Sequence, residues 1–385
     1  MNNNGVWQNS ISNRGILAML LGIVLTTFYV LIYWFPALLG LAQENSSNSG
    51  LIALFDPLSQ FIKGQPASQW FAYGTLYTFF IVVYGVKFMF KYKENKYQLI
   101  RTSVVVLSQL ILAYLLPEIL EGFSNPDHYF AKDIKNMWPL NYQFFDSWHI
   151  DNMIEHGGNL GMFYFVFGLI LFLIITPVIT YYVGKRWYCS WICGCGGLAE
   201  TAGDSFRQLS SKKLATWKLE RWMIHSVLVL VVIMTTATLY GYLTQSATFL
   251  GLDIYNYFQK PYGFVIGAAF SGVVGVGFYP VLGSRIWCRM GCPLAAYMGF
   301  FQRFKSKFRI TTNGGQCISC GNCSTYCEMG IDVRAYAQQG QNIVRSSCVG
   351  CGVCSSVCPR GVLKLENAPE EGRVKENPIL IGKEK

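Results

Sequence analysis

The chain has 385 residues, a mean hydropathy of +0.30, 16% aromatic residues and only 14% charged ones. Globular domains carry roughly 25% charged residues, so an ordinary soluble domain is excluded. A net charge of +10 could suggest nucleic acid, but Lys and Arg sit beside long apolar runs, which gives them a topological role instead, and no nucleic-acid partner is expected.

The polar start MNNNGVWQNSISNRG precedes an apolar run over 16–42. A signal-peptide core has about 7–15 apolar residues and ends at a small-x-small site, whereas about 20 residues cross a bilayer. This run is therefore the first predicted span. Residues 51–69 are apolar but carry Asp56, Pro57, Lys63 and Pro66, and read as an interfacial or re-entrant piece. Further spans are predicted over 70–90, 102–117, 160–183, 222–243 and 262–283, six in all, the third being short and ending at Pro117-Glu118. In the last one Gly263, Gly267, Ser271 and Gly275 recur at four-residue steps, a small-residue face for a neighbouring helix.

Charge bias orients this array. One side collects Lys87, Lys91, Lys93, Lys96 and Arg101, then Lys185, Arg186, Arg207, Lys212, Lys213, Lys218 and Arg221, then Arg285, Arg289, Arg303, Lys305, Lys307 and Arg309. The loop 118–159 opposes them with Glu118, Glu121, Asp127, Asp133, Asp146, Asp151 and Glu155 against Lys132 and Lys135. Both termini are thus expected in the cytoplasm, with the chain in a bacterial inner membrane.

Thirteen cysteines follow a strict plan. Residues 317–359 contain two C-x2-C-x2-C-x3-C runs, the spacing that holds [4Fe–4S] clusters, in which the fourth Cys of each run ligates the other cluster. One cluster then takes Cys317, Cys320, Cys323 and Cys358, and the other Cys348, Cys351, Cys354 and Cys327. Gly321, Gly350 and Gly352 supply the tight loops. Disulfides and zinc fit eight thiols in two such runs poorly, and reduced thiols need a reducing compartment. The remaining cysteines form an internal repeat. Gly184-Lys185-Arg186-Trp187-Tyr188-Cys189 leads to Cys193, and Gly283-Ser284-Arg285-Ile286-Trp287-Cys288 leads to Cys292. Both fit Gly-x-Arg-x-aromatic-Cys-x3-Cys. Pro293 can open a helix and place Cys292 at its N-terminus, where thiolate is favoured; Cys195 stands apart. A metal or further iron–sulfur site, redox-active thiols or a transient copper site, and purely structural cysteines all fit, and ligand softness does not choose among them.

Of four histidines, His128, His149 and His156 fall in the acidic loop and read as solvated. His225 follows Arg221 at the start of the fifth span, and these two are the candidates for a quinone-proximal site. Haem lacks an attachment run. No side chain is singled out as catalytic.

The chain reads as an α-helical membrane bundle with a small α+β, bacterial-ferredoxin-like domain. Residues 1–96 form a two-helix segment, 97–300 a four-helix core with both C-x3-C motifs, 301–365 the dicluster domain and 366–385 a polar tail. This combination resembles the membrane polyferredoxins of the NapH, NosR and MauN type, accessory proteins of respiration with a relative in cbb3-type oxidase assembly. Cys288-Arg289-Met290-Gly291-Cys292-Pro293 matches their C-x3-C-P motif fully. Gly194 replaces Pro in the first copy, and Glu328 replaces the Pro usual after Cys327. The resemblance implies quinol-linked electron transfer inside a larger complex, with other redox subunits or cytochromes as partners. A maturation factor reducing copper or thiols is the alternative, and a structural subunit the third.

Overall fold

The computed structural model describes residues 14–42, 47–123 and 142–367. Helix α1 (Ile16–Trp34) stops where Phe35 precedes Pro36, a position biased away from helix, and the 3-10 turn Pro36–Leu39 follows. The run predicted as a span over 16–42 is thus a 19-residue helix and a turn. Two short helices follow, Gly50–Ala53 and Asp56–Lys63. Leu54 and Phe61 are exposed there, while Lys63 is buried against Glu118 and Glu121.

Helices α2 (Gln69–Lys91) and α3 (Lys96–Phe123) are antiparallel neighbours joined by residues 92–95. Side-chain caps start both: Ser68 Oγ accepts from the Phe71 N–H at 3.1 Å, and Asn95 Oδ1 from the Gln98 N–H at 3.1 Å. With helices α4 (Gly158–Val183) and α5 (Leu214–Thr244), five helices among the described residues are long and apolar enough to cross a membrane. At 1.5 Å per residue the 31 residues of α5 extend about 46 Å, beyond the ~30 Å hydrocarbon core.

Pro117 was expected to end the third span, yet α3 runs through it. A wide i→i+5 segment, Ser108–Leu115, lies just before it. The pattern recurs with Leu171–Ile175 before Pro177 and Tyr255–Gln259 before Pro261. Proline lacks an N–H and crowds the preceding turn, and local wide turns restore the displaced bonds.

The sixth predicted span is wound throughout as a wide helix, α6 (Gly263–Gly277), breaking at Phe278 before the short helix Tyr279–Leu282. This winding moves the seam away from the predicted stripe. Gly267 faces open space and Gly275 abuts Trp287. Gly272 and Gly277 face α1 instead, where an added Cβ would lie 1.9 Å from the Tyr29 ring and 2.3 Å from Thr26 Oγ1.

Beyond α5 lies a small hairpin, β1 (Thr248–Phe249) with β2 (Leu252–Asp253). Turns and basic residues gather at the opposite end of the bundle, and the ferredoxin domain docks there behind α7 (Pro293–Lys305). Its sheet pairs β3 (Phe308–Thr312) antiparallel with β4 (Leu363–Asn367). Tyr97 Oη donates to the Gly350 carbonyl at 2.8 Å and Gln98 Nε2 to the Cys351 carbonyl at 2.9 Å. Gln302 Nε2 donates to the carbonyls of Arg345 and Cys348 at 2.8 and 2.7 Å, while its Oε1 accepts from the Lys185 N–H at 2.8 Å. Met298, Phe308, Ile310, Val349 and Val362 share one apolar core across this joint. His149, expected to be solvated, is buried in the helix Ser147–Asp151. His128 lies outside the described residues, as does the side chain of His156.

Candidate functional site

Two short helices present the central cysteines of the ferredoxin domain. Gly321 and Gly352, at φ 80° and 77°, cap Asn322–Thr325 and Val353–Ser356, which carry Cys323 and Cys354. Only a residue tolerant of left-handed backbone turns the chain so sharply there. Cys317, Cys320, Cys323 and Cys358 line one small cavity. Cys354 has Cys351, Cys327 and Cys348 around it. The fourth cysteine of each run thus sits with the other run. Burial is the main effect pushing Cys323 and Cys348 each up to about 11, opposed by the Ser324 and Gly350 N–H groups and augmented by neighbouring thiols. Crowded buried thiols ionise together only against a cationic core, and backbone N–H groups aimed at sulfur are how cluster thiolates are held. The donor set fits two [4Fe–4S] clusters. The first group faces outward, with Cys320 exposed, and the second packs inward, with Cys348 and Cys354 buried.

The repeated C-x3-C motifs share one backbone path. Gly184 and Gly283 leave their spans at φ 71° and 91°, and one-turn helices, Arg186–Cys189 and Ile286–Met290, follow. Cys193 and Cys292 then cap the helix Gly194–Glu200 and α7. All four thiols lie within electrostatic reach of one another. Cys292 does cap α7, but burial, with Cys288, Cys193 and Cys189, pushes its thiol well up. Cys193 is instead lowered to about 7, chiefly by a bond with Cys195 and then by the Gly196 N–H. Cys195 is exposed, and its bond with Cys193 is what sets it apart from the other thiols of this system. Among the described residues no three His, Cys, Asp or Glu side chains are spaced for a single metal ion. That holds for both ferredoxin groups too, since cubane ligands stand wider than those of one ion.

Sequence reasoning missed what joins the two cysteine systems. Glu200 accepts from both Arg101 and Arg285. Arg285 Nε also pairs with Glu328 at 3.1 Å, Arg207 Nη1 pairs with Glu328 at 2.8 Å, and Arg207 Nε with Asp204 at 2.6 Å. Lys91 closes the series on Asp204 at 2.5 Å. Arg285 Nη1 reaches Cys288 Sγ at 3.7 Å and the Cys189 carbonyl at 3.2 Å. Apart from its Lys91–Asp204 end the network is buried, and it runs from the residue after Cys327 to the second cysteine system. Burial works against the Glu328 carboxylate, but Arg207 and Arg285 overcome it and hold it below the usual range. For Glu200 burial is the larger effect and raises it. The signal in the sequence was the missing proline at 328.

Arg221 and His225 line a cavity of about 820 Å³ that reaches Cys288. The His225 Nδ1 donates to the Arg221 carbonyl at 2.5 Å, which leaves its other nitrogen for an outside partner.

Comparison with known proteins agrees with this arrangement. The family described as a 4Fe-4S dicluster domain matches residues 309–359. Residues 309–359 form a ferredoxin-type region. The family described as a 4Fe-4S binding domain matches twice, over 165–215 and 263–311, so the internal repeat is recognised in both copies, each holding one C-x3-C pair. A curated relative in Escherichia coli (strain K12), named "Putative electron transport protein YccM", is 27% identical over 175 residues. The match covers 43% of this chain and 46% of that protein. No solved structure matches the chain.

Proposed function

We propose that the chain is a membrane-anchored iron–sulfur electron carrier of the NapH, NosR and MauN type. It works in a bacterial cytoplasmic membrane, with both termini and the ferredoxin domain on the cytoplasmic side. There it relays electrons between the quinone pool, or a cytoplasmic donor, and a membrane or periplasmic partner such as a cytochrome in a larger complex. The observation that carries this reading is the order of the sites: an outward cysteine group, an inward one, and a second cysteine system tied to it through Glu328 and Arg285. When bound, each [4Fe–4S] cluster supplies a one-electron couple. The eight thiols hold the two clusters, the joint keeps them at a fixed separation from the bundle, and His225 offers a free ring nitrogen to a quinol proton. The relative's name supports the same class of activity.

Redox-titrated EPR with iron quantification tests this proposal. Two centres with about eight irons per chain, reducible by quinol or by a ferredoxin-type donor, are expected. Centres that neither donor reduces would overturn it.

A second reading is supported by Lys185, which is 1% exposed and close in charge terms to Cys189, Cys288 and Cys348. A buried ammonium there favours an anionic centre on Cys189, Cys193, Cys288 and Cys292, either a further cluster or a copper-reducing thiol set. About twelve irons per chain marks the cluster. Reduction of Cu(II) by the chemically reduced protein, lost in Cys288→Ala with both cubanes retained, marks the maturation role.

A further inference from the structure

The cavity beside Cys288 carries an unbalanced charge. It lies between the start of α5, α7 and the ferredoxin domain, and its wall includes Lys185, Arg221, Arg303, Arg309 and Arg345. Among the described residues none of these five forms an ion pair. Glu220 is the one carboxylate in the wall, and Arg289 already takes it at 3.1 Å. Exposed cations at a membrane surface are commonplace and solvated, but Arg309 is only 5% exposed, whereas the equally buried Lys185 already faces the thiols of Cys189, Cys288 and Cys348. Burying a cation with no anion is costly.

The guanidinium groups are also held in place. Trp217 is stacked between Arg345 at 4.5 Å and Arg221 at 5.2 Å from its ring centre. Arg345 Nη1 donates to Tyr336 Oη at 3.1 Å and Arg303 Nη1 to the Val344 carbonyl at 2.8 Å. Each fixed group keeps further N–H donors free, and planar guanidinium forks match phosphate oxygens.

We propose that this cavity binds a phosphate-bearing anion, seated between Arg221, Arg303, Arg309 and Arg345, with Lys185 at its inner end. The rim names the favoured source. Phe300 and Phe304, on α7, line it and are 56% and 67% exposed. An apolar rim over a basic pocket at the end of a membrane bundle suits the headgroup of an anionic phospholipid; a free phosphate compound is the other source. This inference stands whether or not quinol is the electron donor.

The test uses the full chain with its clusters, purified in detergent and re-equilibrated with phosphatidylglycerol, phosphatidylcholine or inorganic phosphate. Native mass spectrometry reads retained ligand, and the visible absorbance of the cubanes reports folding. About one phosphatidylglycerol per chain is expected, with at least tenfold less retained phosphatidylcholine. Arg345→Gln and, separately, Arg303→Gln should each weaken retention at least fivefold with cubane absorbance unchanged, while Arg345→Lys restores part of it. Saturable inorganic phosphate binding that is lost in the same variants, without a lipid preference, would uphold the anion site and assign it to a free phosphate. Equal retention of both lipids together with phosphate binding that is insensitive to either variant would overturn the proposal.

Discussion

At the scale of single residues, the two departures from the polyferredoxin pattern have physical consequences. Glu328 replaces a proline after Cys327, and its carboxylate, fully buried, meets Arg207 and Arg285. Removing one partner of a buried ion pair costs about 3–5 kcal/mol because the other charge is left uncompensated. Glu328→Pro, which restores the more usual residue, is therefore expected to lower the thermal midpoint and to expose the joint to limited proteolysis, with the cubanes still visible. Unchanged protease resistance would show that the domain docks without this pair. At Gly194 an added Cβ would meet Gln109 Oε1 at 2.5 Å and the Tyr77 hydroxyl at 2.8 Å, so a larger residue needs those side chains to shift. Gln109 Nε2 meanwhile donates to the Ile192 carbonyl at 2.6 Å, so the amide that crowds this position also fixes the loop before Cys193.

At the scale of elements, the contact between α1 and α6 is set by glycine. Gly272→Leu would drive its side chain into the Tyr29 ring, and overpacking of this kind costs about 1–3 kcal/mol. The expected result is a lower thermal midpoint for Gly272→Leu and partial rescue by adding Tyr29→Ala. A double variant no more stable than the single one would place the strain elsewhere. This seam also marks where sequence reading reached its limit. Apolar run lengths located the five long helices found among the described residues, because run length depends on local order alone; the assignment of Cys358 to the first run and Cys327 to the second came instead from the exchange of the fourth cysteine in two-cluster ferredoxins. The seam on α6 was misplaced because a four-residue step assumes ordinary helical winding, and the i→i+5 turns of Gly263–Gly277 break that assumption. The ion network was illegible for a different reason. Arg101, Glu200, Arg285 and Glu328 come from distant segments, and nothing in their neighbours says that they will meet. His149 was read as solvated from the polarity of its surroundings, although Phe144 and Trp148 pack on it.

At the scale of the whole molecule, acid sensitivity should follow from Asp204, which ties the end of α2 to the connection between α4 and α5. Burial opposes its ionisation, but Arg207 and Lys91 prevail and hold the carboxyl below its ordinary value. A carboxyl depressed in the folded state contributes stability above its unfolded pKa of about 4 and loses it as pH falls through the lower folded value. The thermal midpoint is therefore expected to be flat above about pH 5 and to fall below about pH 4, with a shallower fall in Asp204→Asn. Equal slopes in the two proteins would remove Asp204 from the account. The order of synthesis gives the network a further consequence. The bundle leaves the ribosome before residue 328, so Arg101, Arg207 and Arg285 first share only Glu200 and Asp204. Charge balance at that end of the bundle then waits for one carboxylate, Glu328, delivered by the residue after Cys327.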